Sequence, residues 1–138
     1  MSNVVITGCF DIIHVGHVRL LNFAKSLLKE KDILIILIDS DERVKARKGN
    51  DRPINNEKDR REVINSIVCP KILYTYTSNE ELLSRLSYYN NHIRICGEEY
   101  KNKEVLGKEY AAGVVYFNQQ ENYSTTNIIN HAQNITNR

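Results

Sequence analysis

The run Ile33 to Ile38 (ILIILI) is apolar at consecutive positions rather than at alternate ones. A strand with one wet face alternates, whereas a strand covered on both faces does not, so this segment reads as an inner strand of a parallel sheet. Such a sheet needs crossover helices on its faces. Asn3 to Thr7 (NVVIT), ending at Gly8, reads as a first buried strand.

The intervening residues supply the crossovers. Val18 to Leu28 carries Leu20, Leu21, Phe23, Ala24, Leu27 and Leu28 at helical spacing after Gly16. A polar, basic segment then runs through Lys48-Gly49, and Asn56 to Val68 places Val63, Ile64 and Ile67 on one helical face. Ile72 to Tyr76 reads as a strand, Asn79 to Leu86 as a short helix, and Ile93 to Cys96 as a strand closing at Gly97. Val114 to Phe117 is a further strand, and Ser124 opens a last helix with Ile128, Ile129 and Ala132 on its buried side. This alternation predicts an α/β fold: an open parallel sheet with helices on both faces. At 138 residues with no internal repeat, one domain spanning residues 1–138 accommodates everything, with a polar tail over 133–138 expected to fray.

The formal net charge is only +2 and the charges are mixed along the chain, unlike the continuous basic footprint of a nucleic-acid binder. Cys9, Cys69 and Cys96 are odd in number and far apart, which fits neither a zinc site nor a disulfide framework. No basic leader with a cleavage site and no membrane-length apolar stretch is present, so a cytoplasmic location is expected.

Gly8-Cys9-Phe10-Asp11-Ile12-Ile13-His14-Val15-Gly16-His17 lies between the first strand and the first helix. Open α/β sheets bind ligands at the carboxyl ends of their strands, and free amides at a helix start attract phosphate. Two imidazoles there can face one phosphate chain, with Gly16 permitting close approach; they can equally be ordinary polar residues at a helix start. Ser124-Thr125-Thr126 offers hydroxyls at the start of the last helix, for capping or for an anionic oxygen. Lys45-Ala46-Arg47-Lys48-Gly49, then Arg52-Pro53-Ile54-Asn55 and Arg60, form a basic stretch that by itself reads as a solvated face.

Taken in order, GxFDxxHxGH, SDExVKxxKG, RPIN with DR, and a late STT resemble the cytidylyltransferase-like nucleotidyltransferase family along nearly the whole chain. The RPIN and KG elements look most like the adenylyltransferase domain of ADP-heptose synthase, while the small size also suits glycerol-3-phosphate cytidylyltransferase. The resemblance implies a Rossmann-like fold and a homodimer. It implies catalytic roles for His14, His17 and Lys48, with Lys48 and Lys45 reaching phosphates from a mobile loop. It further implies nucleotide contacts from Gly8, Cys9, Phe10, Asp11, Gly16, Arg60, Gly97, Glu99, Ser124, Thr125 and Thr126. Mg²⁺ would enter with the NTP phosphates.

Several positions depart from the family's patterns. Heptose enzymes show KGxDY where this chain reads Cys96-Gly97-Glu98-Glu99-Tyr100, and glycerol-phosphate enzymes show an arginine where this chain has Gln119. Asn122 replaces a glycine before the triplet but can adopt the left-handed conformation. Asp11 is either a loop carboxylate that orients its surroundings or a partner for acceptor or metal, and Glu99 either contacts the nucleotide or faces solvent.

The leading expectation is transfer of a nucleoside monophosphate from an NTP, ATP before CTP, to a phosphorylated sugar such as heptose 1-phosphate. The alternatives are CTP-dependent transfer to glycerol 3-phosphate and a non-catalytic nucleotide-binding module. A class I aminoacyl-tRNA synthetase shares the histidine logic, but the chain is too short and has no KMSKS-like segment.

Overall fold

The computed structural model describes residues 3–118 and 125–136. Five parallel strands form one sheet in the order β3-β2-β1-β4-β5: β1 (Val4–Gly8), β2 (Leu34–Asp39), β3 (Ile72–Tyr76), β4 (His92–Gly97) and β5 (Ala111–Phe117). The α/β expectation holds. The strand order reverses at β1, which pairs with β2 on one side and β4 on the other, so the switch point lies beside the chain's first loop.

The uninterrupted apolar run divides between the two faces of the sheet, as a strand's side-chain period of two requires. Leu34, Ile36 and Ile38 join Val4, Ile6 and Ile95 under Leu21 and Ala24 of α1 (Val15–Ser26) and Ile64 of α3 (Glu57–Ile67). Ile35 and Leu37, with Val5, pack on the other face against Leu82 and Leu86 of α4 (Asn79–Tyr88). All five central residues of β2 from Leu34 to Ile38 are buried.

Three details differ from the sequence reading. The basic segment is a helix, α2 (Asp41–Lys48), rather than a loop; Ser40 caps it through Arg43 N (3.1 Å), and acidic and basic residues lie at the ends that suit the helix dipole. Only Val44 of α2 is buried, so it has almost no apolar stripe to reveal it. In α3, Ile64 is buried but Val63 is 39% exposed. In α5 (Thr125–Thr136) the side expected to be buried is largely open: Ile128 is 38% exposed and Ala132 is exposed, while Ile129 is half-buried. Ser124 lies outside the described residues. No helix of the described residues is long and apolar enough to cross a membrane.

One buried cation joins the carboxyl ends of β1 and β2. Arg60 of α3 is 1% exposed; its Nη1 donates to the carbonyls of Cys9 (2.7 Å) and Asp39 (2.9 Å), its Nε to Asn55 O (3.0 Å), and its Nη2 to Asp41 (2.8 Å). Removing that cation leaves several buried acceptors unsatisfied. Arg60→Met is expected to cost about 3–5 kcal/mol, read as a lower urea midpoint with an unchanged slope.

Candidate active site

The loop after β1 is held in an unusual shape. Phe10 and Ile12 have φ of 55° and 47°, a left-handed conformation that a β-branched residue such as Ile12 adopts only when its surroundings compel it. The compulsion comes from Asp11 between them, which is 1% exposed. Its carboxylate accepts from Ile54 N (2.7 Å) and Asn55 N (2.9 Å), and Arg52 lies 3.8 Å away. The RPIN segment is thereby fixed to the histidine loop. Asp11 was expected among the nucleotide contacts; its burial and its amide partners make it a positioning residue instead. The same correction applies to Arg60, whose guanidinium is occupied below the surface.

His14 is the N-cap of α1 and His17 its third residue, and the two form a reciprocal capping box. Gly16 N donates to His14 Nδ1 (3.0 Å) and His14 N to His17 Nδ1 (3.1 Å). With Nδ1 accepting in each ring, the neutral imidazole carries its proton on Nε2. The rings lie 3.9 Å apart, centroid to centroid, and Phe10 stands 5.5 Å from His17. Burial, reinforced by the neighbouring charges of His14 and Lys48, lowers the His17 pKa to about 4; burial also lowers that of His14. Both are neutral near pH 7.

Lys48 ends α2 at an exposed position, and Gly49 follows with φ 102°. Its charge depresses the His17 pKa and opposes the burial that raises the Cys9 thiol, so the ammonium lies within electrostatic reach of both. Lys45 is exposed one turn earlier, on the same helix. At the start of α5, the Thr125 hydroxyl donates to the carbonyls of Asp11 and Ile12, which docks that helix on the histidine loop. Thr126 is exposed beside it. Gly97 ends β4, and Glu99 follows in a short 3-10 turn, Glu98–Tyr100.

Two cavities open where these elements meet. The smaller, about 170 Å³, is lined by Cys9, Phe10, His17, Gly97 and Phe117, with Gly8 in its wall. A Cβ on Gly8 would stand 2.9 Å from the Phe10 ring, so a side chain there would displace the ring that flanks His17. The larger, about 330 Å³, runs from β3 and β2 across β1 to β4 and is lined by Asp39, Arg43, Arg47, Tyr76, Arg94 and Glu104. Thr7, Gly8, Leu20, Gly97 and Tyr100 border both. Of this second group the sequence reading singled out only Arg47, within the basic stretch; Arg94, a charge inside the apolar run Ile93 to Cys96, was a signal it passed over.

The model of the cytidylyltransferase-like family matches residues 5–131. The chain is 38% identical over 133 residues to the bifunctional protein HldE of Helicobacter hepaticus, covering 96% of this chain and 27% of that protein. It is 37% identical over 122 residues to the bifunctional protein HldE of Helicobacter pylori, covering 88% of this chain and 26% of that protein. The chain thus spans about a quarter of the length of these relatives. Among solved structures, the lipopolysaccharide core biosynthesis protein from Thermoplasma volcanium superposes with a TM-score of 0.66 at 21% identity, covering 88% of this chain and 99% of that one. That likeness concerns the fold.

Because the His17 pKa falls on folding, the unfolded chain binds the extra proton first as pH drops. Stability from this group is complete above the usual 6.5 and declines as pH falls through about 4. Urea midpoints measured across that window should fall more steeply for the wild type than for His17→Gln; parallel curves would remove the depressed pKa.

Proposed function

We propose, from the premise that this chain belongs to the cytidylyltransferase-like family and is a nucleotidyltransferase domain, that it joins a nucleoside monophosphate from an NTP to a phosphorylated sugar. The observation that carries this reading is the histidine pair, joined in a capping box and kept neutral by burial within electrostatic reach of Lys48, with His17 lining a cavity at the switch point. Neutral imidazoles donating from Nε2, a nearby ammonium and the amides of a helix start form a site for a polyphosphate.

The chemistry asks little else of the protein. A phosphate monoester oxygen is already anionic near pH 7, so it can attack the α-phosphorus without a strong general base. One P–O bond forms to the acceptor, the bond to the β-phosphate's bridging oxygen breaks, and pyrophosphate leaves. His17 stabilises charge on the α-phosphate and Lys48 on the departing pyrophosphate. Thr126 and the first amides of α5 approach the same phosphates. Mg²⁺ bound to the NTP phosphates would supply further charge neutralisation. Hydroxyls, imidazoles and a lysine suit the phosphates themselves, so the ion would arrive with the nucleotide.

ATP with a sugar 1-phosphate such as heptose 1-phosphate is the favoured pair. The support is the RPIN, DR and Lys48-Gly49 pattern, together with the identity to the two HldE proteins over most of this chain. The test is pyrophosphate release from each of the four NTPs with heptose 1-phosphate, other sugar 1-phosphates and glycerol 3-phosphate. Turnover of CTP with glycerol 3-phosphate and none of ATP with sugar phosphates would reverse the ranking; no release with any pair would remove the proposal.

With the active pair in hand, His17→Ala is expected to lower kcat by about a hundredfold or more, the usual effect of deleting one well-placed donor to transition-state charge. Lys48→Ala should lower kcat while leaving the melting temperature unchanged, since the side chain is exposed. Near-normal turnover in both variants would move the chemistry elsewhere.

A further inference from the structure

Five arginines surround the site, and four of them have carboxylate partners. Arg43 and Arg47 flank Asp39 at 3.4 and 3.6 Å, Arg52 lies 3.8 Å from Asp11, and Arg60 is 2.8 Å from Asp41. Arg94 has none within 4 Å among the described residues, although it is only 4% exposed. Its Nη1 donates to Leu106 O (3.1 Å) and its Nη2 to Thr7 Oγ1 (3.2 Å). A guanidinium carries five N–H donors, so those two bonds leave it under-used, and Nε has no partner. A buried cation without a counter-charge is costly to keep, and burial already pushes this group's pKa down.

Its position gives that cost a use. Arg94 lines the larger cavity, and the threonine it bonds, Thr7, borders both cavities. The guanidinium therefore lies near the passage between the space beside His17 and the space beside Asp39. A nucleophilic phosphate would have to reach the nucleotide's α-phosphorus through that passage. The volume of about 330 Å³ also falls in the range of small-molecule sites, about 300–1,000 Å³.

We propose that the larger cavity is the acceptor site and that Arg94 is its anion anchor, binding the acceptor's phosphate so that one oxygen faces the nucleotide. This rests on the nucleotidyl-transfer reading for the direction of attack, but not for the binding of the anion. The Asp39–Arg43–Arg47 group lines the same cavity with both donors and an acceptor, a combination suited to sugar hydroxyls. The ligand class is thus a phosphorylated polyol, with its charged end at Arg94 and its neutral end at Asp39.

Inorganic phosphate is the first probe, titrated into the protein saturated with the α,β-methylene analogue of ATP or CTP, whichever binds. The readouts are the phosphate Kd and the Nε–H resonance of Arg94, identified by its loss in Arg94→Lys. Phosphate should shift that resonance, and Arg94→Met should weaken phosphate by about tenfold or more, the loss expected of a charge-assisted hydrogen bond. The analogue's Kd should stay within about twofold. If Arg94→Met does not fold, Arg94→Lys decides: it keeps the charge, loses the planar fork and should bind phosphate several-fold more weakly. An unshifted resonance, or unchanged phosphate affinity in the folded variant, overturns the anchor.

Turnover separates the two readings. An active enzyme whose acceptor KM is unaffected by Arg94→Met loses the anchor and keeps nucleotidyl transfer. Arg94-dependent phosphate binding in a protein that turns over no NTP keeps the anchor and loses the transfer.

Discussion

The site depends on the burial of one guanidinium. Arg60 enters from α3 and takes up carbonyl oxygens at the ends of both β1 and β2, while its remaining nitrogens hold the RPIN segment and the start of α2. Past the last paired residue of a parallel strand, carbonyls find no neighbouring strand amide to satisfy them. A flexible lysine could reach one of them; the planar fork of arginine meets several at fixed angles. Because Arg60 faces Asp41 and backbone dipoles together, its charge is compensated without a fully buried ion pair. The two strand ends that border the cavities are thus locked in relative position.

Asp11 extends the same logic to the loop. Its side chain binds the amides of Ile54 and Asn55, and its own carbonyl receives the Thr125 hydroxyl, so three segments distant in sequence converge on one residue. The left-handed Phe10 and Ile12 follow from the need to bury that carboxylate while the chain still turns into α1. The consequence reaches the histidines: a loop fixed this firmly sets where α1 begins, and the start of α1 sets the capping box. Tautomer and neutrality of His17 are therefore properties of the fold, established before any ligand arrives.

The sheet and most helices were legible because their signals are local. The run Ile33 to Ile38 announced a strand buried on both faces, and the motif at His14 to His17 sat where the strand-to-helix transition was expected. α2 was not legible as a helix, since Val44 alone faces the core and the other positions are charged or small. Val63 and Ile128 were misplaced for a related reason: helical periodicity gives a face, but how wide a stripe is covered depends on a neighbour that the local sequence does not describe. Asp11 was open between an orienting carboxylate and a ligand partner, and Arg60 was a nucleotide contact only by resemblance. Only the long-range partners Ile54, Cys9 and Asp39 reveal that they hold the frame.

Group transfer needs two ligands to meet at one atom, and the topology provides for that meeting. β1 is the strand whose neighbours were added in opposite directions, so the crossovers on its two sides leave in opposite senses and their loops part above its end. One space lies beside His17 and Phe117, the other runs from Asp39 and Tyr76 across β1 to Arg94, and Thr7, Gly8, Leu20, Gly97 and Tyr100 border both. At this border Phe10 packs against Gly8, and Arg94 bonds to Thr7 from the neighbouring strand. Groups bound in the two spaces can therefore meet beside the end of β1, an arrangement suited to an in-line displacement that relies on positioning more than on acid-base chemistry.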